Sequence, residues 1–272
     1  RKESSAASDV YKRQCIRNDI HFNQLKRCIN SIRNFYENIK IILIDDSIIE
    51  YTEQIKEFIK YDNNIFIKES LMKGSADQQI FKVLLETELF AKAIFIQDSM
   101  ILNKQLEGID EINLQFIWHF TNHRVHWDVI KEPDTEYNIK NNINSHTDLI
   151  MHNLLRDYND NNEFQNYAVN KLTNKNEWCG CFGSLCIINK NNFIDRFINS
   201  TSNRDRRVNE SIFALICHFS FPEINFEKSY DEIHFDGYKH GGNVYLINKP
   251  TGFDNLIWFA VHNYFSKVSF NR

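Results

Sequence analysis

The chain has 272 residues, 42% hydrophobic and 14% aromatic, enough to bury one sizeable core in a large α/β domain or two small ones. A formal net charge of -4 argues against the basic face that nucleic-acid binding needs, and no run of about 18 apolar residues is present that would span a bilayer. Cys15, Cys28, Cys179, Cys181, Cys186 and Cys217 suggest no paired framework in a chain this long, so reduced thiols in a cytoplasmic or membrane-peripheral setting are expected.

In chain order, residues 4–14 come first and read S-S-A-A-S-D-V-Y-K-R-Q. The string resembles the in-frame translation of a transposon-based sequencing-library adapter, a frequent contaminant of assembled environmental sequence. Residues 1–14 are therefore expected to be non-native and residues 15–272 to form a single domain, with a disordered native N-terminus as the alternative.

From His21 to Tyr36, Leu25, Cys28, Ile29, Ile32 and Phe35 recur at three- and four-residue steps, which predicts an amphipathic helix. Residues 39–44 are an apolar run broken by Lys40 and stopped by Asp45-Asp46-Ser47, the pattern of a buried parallel strand. Tyr51, Ile55, Phe58 and Ile59 predict a second helix, and residues 64–68 a short strand. A third helix is expected from Ala76 to Phe90, with Ile80, Val83, Leu84 and Leu89 inward. Residues 93–96 then form a strand ending at Gln97-Asp98-Ser99. Further on, residues 115–120 and 185–188 look like strands. Residues 148–155, behind the caps Ser145 and Thr147, and residues 208–218 look helical.

This alternation predicts an α/β fold with a mostly parallel central sheet, flanking helices and right-handed crossovers. Ligands of such sheets bind beyond the carboxyl ends of the strands. The Asp45-Asp46 pair and Asp98 fall at those ends, so they are expected to face one cleft.

These residues together resemble a GT-A, Rossmann-like glycosyltransferase of the family 2 group. C-I-R-N-D, the following helix and I-L-I-D-D-S resemble the family's opening. K-G-S-A-D-Q-Q, Lys73 to Gln79, is similar to its Gly-x-x-x-Ala-Arg-Asn region, although the Arg-Asn pair is absent. A-I-F-I-Q-D-S stands at the place of the Asp-x-Asp motif, with one carboxylate in place of two. W-C-G-C-F-G-S-L-C-I-I resembles the acceptor-side segment, and R-R-V-N-E-S-I-F-A-L the helix with the catalytic acid pair, here Asn209-Glu210. The resemblance spans roughly residues 15–220. The first strand of the family sheet is expected to precede Cys15, so a strand drawn from the adapter-like string would take that slot.

The resemblance implies an inverting enzyme that moves a sugar from a nucleotide-sugar donor to a glycan or other hydroxyl acceptor. Asp45 and Asp46 would meet base and ribose, with Lys73 and Asp77 also on the donor side. Lys73 is a point charge for phosphate or simply a solvated lysine. Asp98 would hold Mn2+ or Mg2+ at the diphosphate through a hard oxygen ligand, or else cap a turn. His240 is the candidate further metal ligand, with His262 as rival. Glu210 would be the general base, unless it is an exposed helical glutamate. Trp178 and Gly180 would line the acceptor side.

Cys179, Cys181 and Cys186 lack a second paired set, which favours small buried thiols over zinc. His119, His123 and His126, between Trp118 and Trp127, fit a sugar-stacking rim better than a metal site. Two other readings remain open: a non-catalytic nucleotide- or glycan-binding relative, and a nucleotidyltransferase.

Overall fold

A computed structural model describes residues 9–14, 18–47, 49–70, 76–121, 146–173, 178–190, 206–231, 233–236, 256–261 and 263–270. The chain divides into two compact units. The first comprises residues 1–115, 185–193 and 244–272, and the second residues 116–184 and 194–243.

In the first unit, strands β1 (Asp9–Gln14), β2 (Ile41–Asp45), β3 (Ile65–Glu69) and β4 (Lys92–Gln97) alternate with helices α1 (Asp19–Arg33), α2 (Ile49–Ile59) and α3 (Ala76–Glu86). They build a six-stranded sheet of order β3-β2-β1-β4-β9-β6, completed by β6 (Leu114–Phe116) and β9 (Cys186–Asn189). Pairing is parallel from β3 through β2 and β1 to β4, and antiparallel between β4 and β9. A second sheet, β11-β12-β5, is antiparallel, with β5 at Met100–Leu102, β11 at Leu256–Val261 and β12 at Phe265–Phe270. The sheets are thus small and mixed, where the sequence suggested one mostly parallel sheet. The direction reverses at β4, whose neighbour β9 comes from about ninety residues further along the chain.

The physical reason for the parallel part is plain in β2. All five residues, Ile41 to Asp45, are buried, as expected of a strand covered on both faces. Helix α1 starts where Asn18 caps it, its side-chain oxygen accepting from the backbone N–H of His21 at 3.0 Å. Leu25, Cys28, Ile29 and Ile32 form its buried face. Phe35, expected on that face, lies past the helix end and is 39% exposed. Leu89, expected inward on a longer α3, is likewise 39% exposed beyond the last helical residue, Glu86.

Strand β1 lies between β2 and β4 in the sheet order. It pairs with β2 on one side and β4 on the other, and it is drawn from residues 9–14 of the adapter-like string.

The second unit holds the sheet β10-β7-β8, with β7 at Trp118–Thr121, β8 at Cys179–Cys181 and β10 at Ile233–Asp236. Helices α4 (His146–Asp157), α5 (Asn162–Thr173) and α6 (Arg206–Ser220) belong to it. Thr147, expected as a cap, sits inside the first turn of α4. Strand-like residues 115–120 divide into β6 and β7 around Ile117. Helix α6 packs against β8 and the turn at Phe182–Ser184, while α4 and α5 pack on each other and on α6. Phe116, Phe226 and His218 form an aromatic cluster, the two phenyl rings stacked at 4.6 Å.

Candidate functional site

The first unit brings Asp45, Asp46 and Asp98 to one sheet edge. Asp45 ends β2, and Asp98 follows β4 directly. Gln14 of β1 is in register with Asp45, and Arg13 with Gln97. Asp98 is one step beyond Gln97 and so stands level with Asp45. Only β1 lies between their strands, which puts the two positions on the order of 10 Å apart along the carboxyl edge. Asp45 and Asp46 are each 5% exposed, while Asp98 is half-buried in the turn to β5.

Two buried carboxylates in succession are costly unless other groups meet them. Asp45 is met on both oxygens. Its Oδ1 accepts from the Ser47 backbone N–H at 2.9 Å, and its Oδ2 from the Thr52 hydroxyl at 2.7 Å. Its backbone carbonyl accepts from Ser70 N–H at 2.8 Å, and the Ser70 hydroxyl accepts from Gln79 Nε2 at 2.9 Å. A chain of hydrogen bonds therefore ties the end of β2 to the end of β3 and to α3, the helix that carries Asp77. Thr52, Ser70 and Gln79 were not singled out by the sequence reading.

Under the β4 end, the Cys28 thiol donates to the Gln97 carbonyl at 3.6 Å. This anchors α1 beneath the strand that delivers Asp98. Lys73 and His240 lie outside the described residues, as do His123, His126, Trp127 and His262, and of Asp77 only the backbone is described.

The second unit brings the acceptor-side candidates near one another at the level of elements. Trp178 leads into β8 and is 3% exposed, and Gly180 lies within β8 in register with Phe120 of β7. Glu210 lies on α6, the helix packed against β8, and is 8% exposed. It is therefore not the exposed helical glutamate considered as its alternative. The turn after β8 holds two successive left-handed residues, Gly183 at φ 64° and Ser184 at φ 55°.

The cysteines behave as packing groups. Cys28, Cys179, Cys181, Cys186 and Cys217 are free and buried, and burial pushes the Cys186 thiol well above its ordinary value. Among the described residues no three His, Cys, Asp or Glu side chains are grouped to hold a metal ion. Asp98, a lone carboxylate between Gln97 and Ser99, does not on its own fit a resident divalent cation. Among the described residues, no helix is long and apolar enough to cross a membrane.

No family model and no curated protein matches the chain. Partial similarity exists to solved structures. One is GalNAc-T7 with UDP, GalNAc and Mn2+, at TM-score 0.33 and 16% identity, covering 38% of this chain and 19% of that one. Another is Staphylococcus aureus TarS 1-349 in complex with UDP, at TM-score 0.33 and 17% identity, covering 46% and 40%. A third is the galactosyltransferase LgtC with donor and acceptor sugar analogues, at TM-score 0.31 and 13% identity, covering 48% and 51%. The aligned part spans about a fifth to a half of the length of these structures.

Proposed function

We propose that the chain is a nucleotide-sugar-dependent glycosyltransferase that moves a sugar to a glycan or other hydroxyl acceptor with inversion. The observation that carries the reading is the level placement of Asp45 and Asp98, with Asp46 one residue beyond, at the carboxyl edge of β2 and β4. In an open α/β sheet that edge is where a nucleotide lies. In this reading Asp45 and Asp46 serve the nucleoside, with Asp46 beside the anchored Asp45, Lys73 pairs with phosphate as a point charge, and Asp77 belongs to the donor side. Glu210 takes the proton of the acceptor hydroxyl as that oxygen attacks the anomeric carbon, and the nucleoside diphosphate leaves with the bonding electrons. Trp178 and Gly180 shape the acceptor side. Mn2+ or Mg2+ at Asp98 and His240 belongs to the proposal as a donor-site cation, with no step assigned to it.

The test is turnover of a panel of nucleotide sugars, read as nucleoside diphosphate released. Release that falls at least about a hundredfold in Glu210→Gln, with donor affinity kept, supports the reading. Release indifferent to Glu210→Gln and Asp98→Ala overturns it. A second reading, a non-catalytic nucleotide- or glycan-binding relative, is favoured by the double engagement of Asp45 inside the protein and by the lone carboxylate at Asp98. It predicts binding without release.

A further inference from the structure

We infer that Thr52 is a positioning residue of the donor site, holding the acidic loop in its binding shape through Asp45; this rests on the glycosyltransferase reading above. Strand β2 ends at Asp45 and helix α2 begins at Ile49, so Asp46 is the first residue past the strand. Asp45 Oδ1 bonds the N–H of Ser47, the residue just past Asp46, so the carboxylate closes a ring around the Asp46 backbone. A ring of that kind holds shape only while the carboxylate keeps its rotamer. Asp45 is 5% exposed, so solvent does little to fix it.

The second oxygen supplies the constraint. It accepts at 2.7 Å from the hydroxyl of Thr52, which belongs to α2 and not to the loop. The helix in turn is fixed independently, by Ile55 and Ile59 in the core and by the Tyr51 hydroxyl, which donates to Asp19 Oδ1 of α1 at 3.0 Å. Thr52 thus couples a rigid element to the carboxylate, and the carboxylate to the backbone of Asp46. Loss of the hydroxyl leaves a buried carboxylate oxygen short of a donor. The cheapest relief is rotation of Asp45, which opens the ring and moves Asp46. The chemistry at Glu210 is untouched by this, so the effect belongs in donor binding and not in the chemical step.

The experiment uses the full chain with Mn2+ and the diphosphates of uridine, guanosine, cytidine and thymidine as probes, with affinities measured by calorimetry. Thr52→Val keeps shape and loses the hydroxyl; Thr52→Ser keeps the hydroxyl and loses the methyl. The expected result is at least about tenfold weaker binding for Thr52→Val and near-native binding for Thr52→Ser, with KM for the donor rising and kcat changing little. Thr52→Ala replaces Thr52→Val in the comparison if the valine variant does not fold. Equal affinities in all variants, or equal losses in the serine and valine variants, overturn the role of the hydroxyl while leaving the transferase reading standing. A native chain that binds none of the four diphosphates overturns both.

Discussion

The Nε2 of His218 lies 2.9 Å from the backbone carbonyl oxygen of Cys179 and 3.5 Å from the same residue's Sγ. A carbonyl only accepts, so the ring proton sits on Nε2 and that nitrogen cannot take a proton from the thiol. Burial, with Glu227 adding to it, pushes the Cys179 thiol up to about 12. A Cys–His pair that looks like nucleophile and base is therefore a neutral packing contact, one that joins α6 to β8.

That contact gives the fold an acid sensitivity. Burial lowers the His218 pKa below its usual 6.5; the bond to Cys179 opposes the shift and Lys171 adds to it. The unfolded chain then takes up a proton at higher pH than the folded one. The neutral ring's contribution is complete above 6.5 and is lost as pH falls from there towards the lowered folded value. Urea midpoints taken from about pH 8 down to about pH 5 should fall, and His218→Gln should flatten the part of the decline that this ring causes. An undiminished slope in the variant would assign the decline to other groups.

A second buried pair sets a stability prediction in the same unit. Trp118 Nε1–H donates to Asp231 Oδ2 at 3.0 Å, with Trp118 fully buried and Asp231 1% exposed. Asp231→Leu leaves the indole N–H without that acceptor and should cost about 1–3 kcal/mol, while Asp231→Asn keeps an oxygen there and should cost less. Chemical denaturation followed by tryptophan fluorescence distinguishes the two. Equal losses would mean that the negative charge, not the acceptor, matters.

The first unit was legible in the sequence because each element there is dictated locally. Ile41 to Ile44 are apolar without a break, and Leu25, Cys28, Ile29 and Ile32 keep the helical step, so strand and helix announce themselves. The two errors at Phe35 and Leu89 share one cause: the apolar period runs on after the backbone has left the helix, and a pattern of side chains does not mark a C-terminus. The second unit was harder. Its strands β8 and β10 are three and four residues long, too short for alternation to register. Helix α5 carries only Phe164, Ala168 and Leu172 as buried residues in its twelve, a thin stripe that a sequence pattern conceals. Asp45, Asp46 and Asp98 stand at strand ends, a position the apolar runs before them mark in the sequence, whereas Thr52 and Gln79 act through single hydrogen bonds that no periodicity encodes.

Ser184 offers a test of stored strain. It holds φ 55° while only 3% exposed, in the segment compared with the acceptor side. A left-handed backbone costs a non-glycine residue roughly 1–2 kcal/mol, and glycine escapes that cost at some loss of chain entropy. Ser184→Gly is therefore expected to raise the unfolding free energy by up to about 1 kcal/mol, and Ser184→Val to lower it by more than the glycine variant gains. A destabilised glycine variant would show that the serine side chain repays the strain with contacts of its own.

The central strand carries the last prediction. Tyr11 stands in register with Ile42 on one side and Phe95 on the other, so β1 satisfies the backbone of two neighbours at once. Removing residues 1–14 would open β2 and β4 along facing edges, both apolar and both buried in the intact chain. Unpaired strand edges of that kind associate with one another between molecules. The shortened chain is expected to lose its cooperative thermal transition and to sediment as aggregates, and a synthetic strand of alternating Val and Thr in place of residues 9–14 to restore the transition. A shortened chain that still unfolds cooperatively as a monomer would mean that β2 and β4 pair without β1, and that residues 9–14 are dispensable to the sheet.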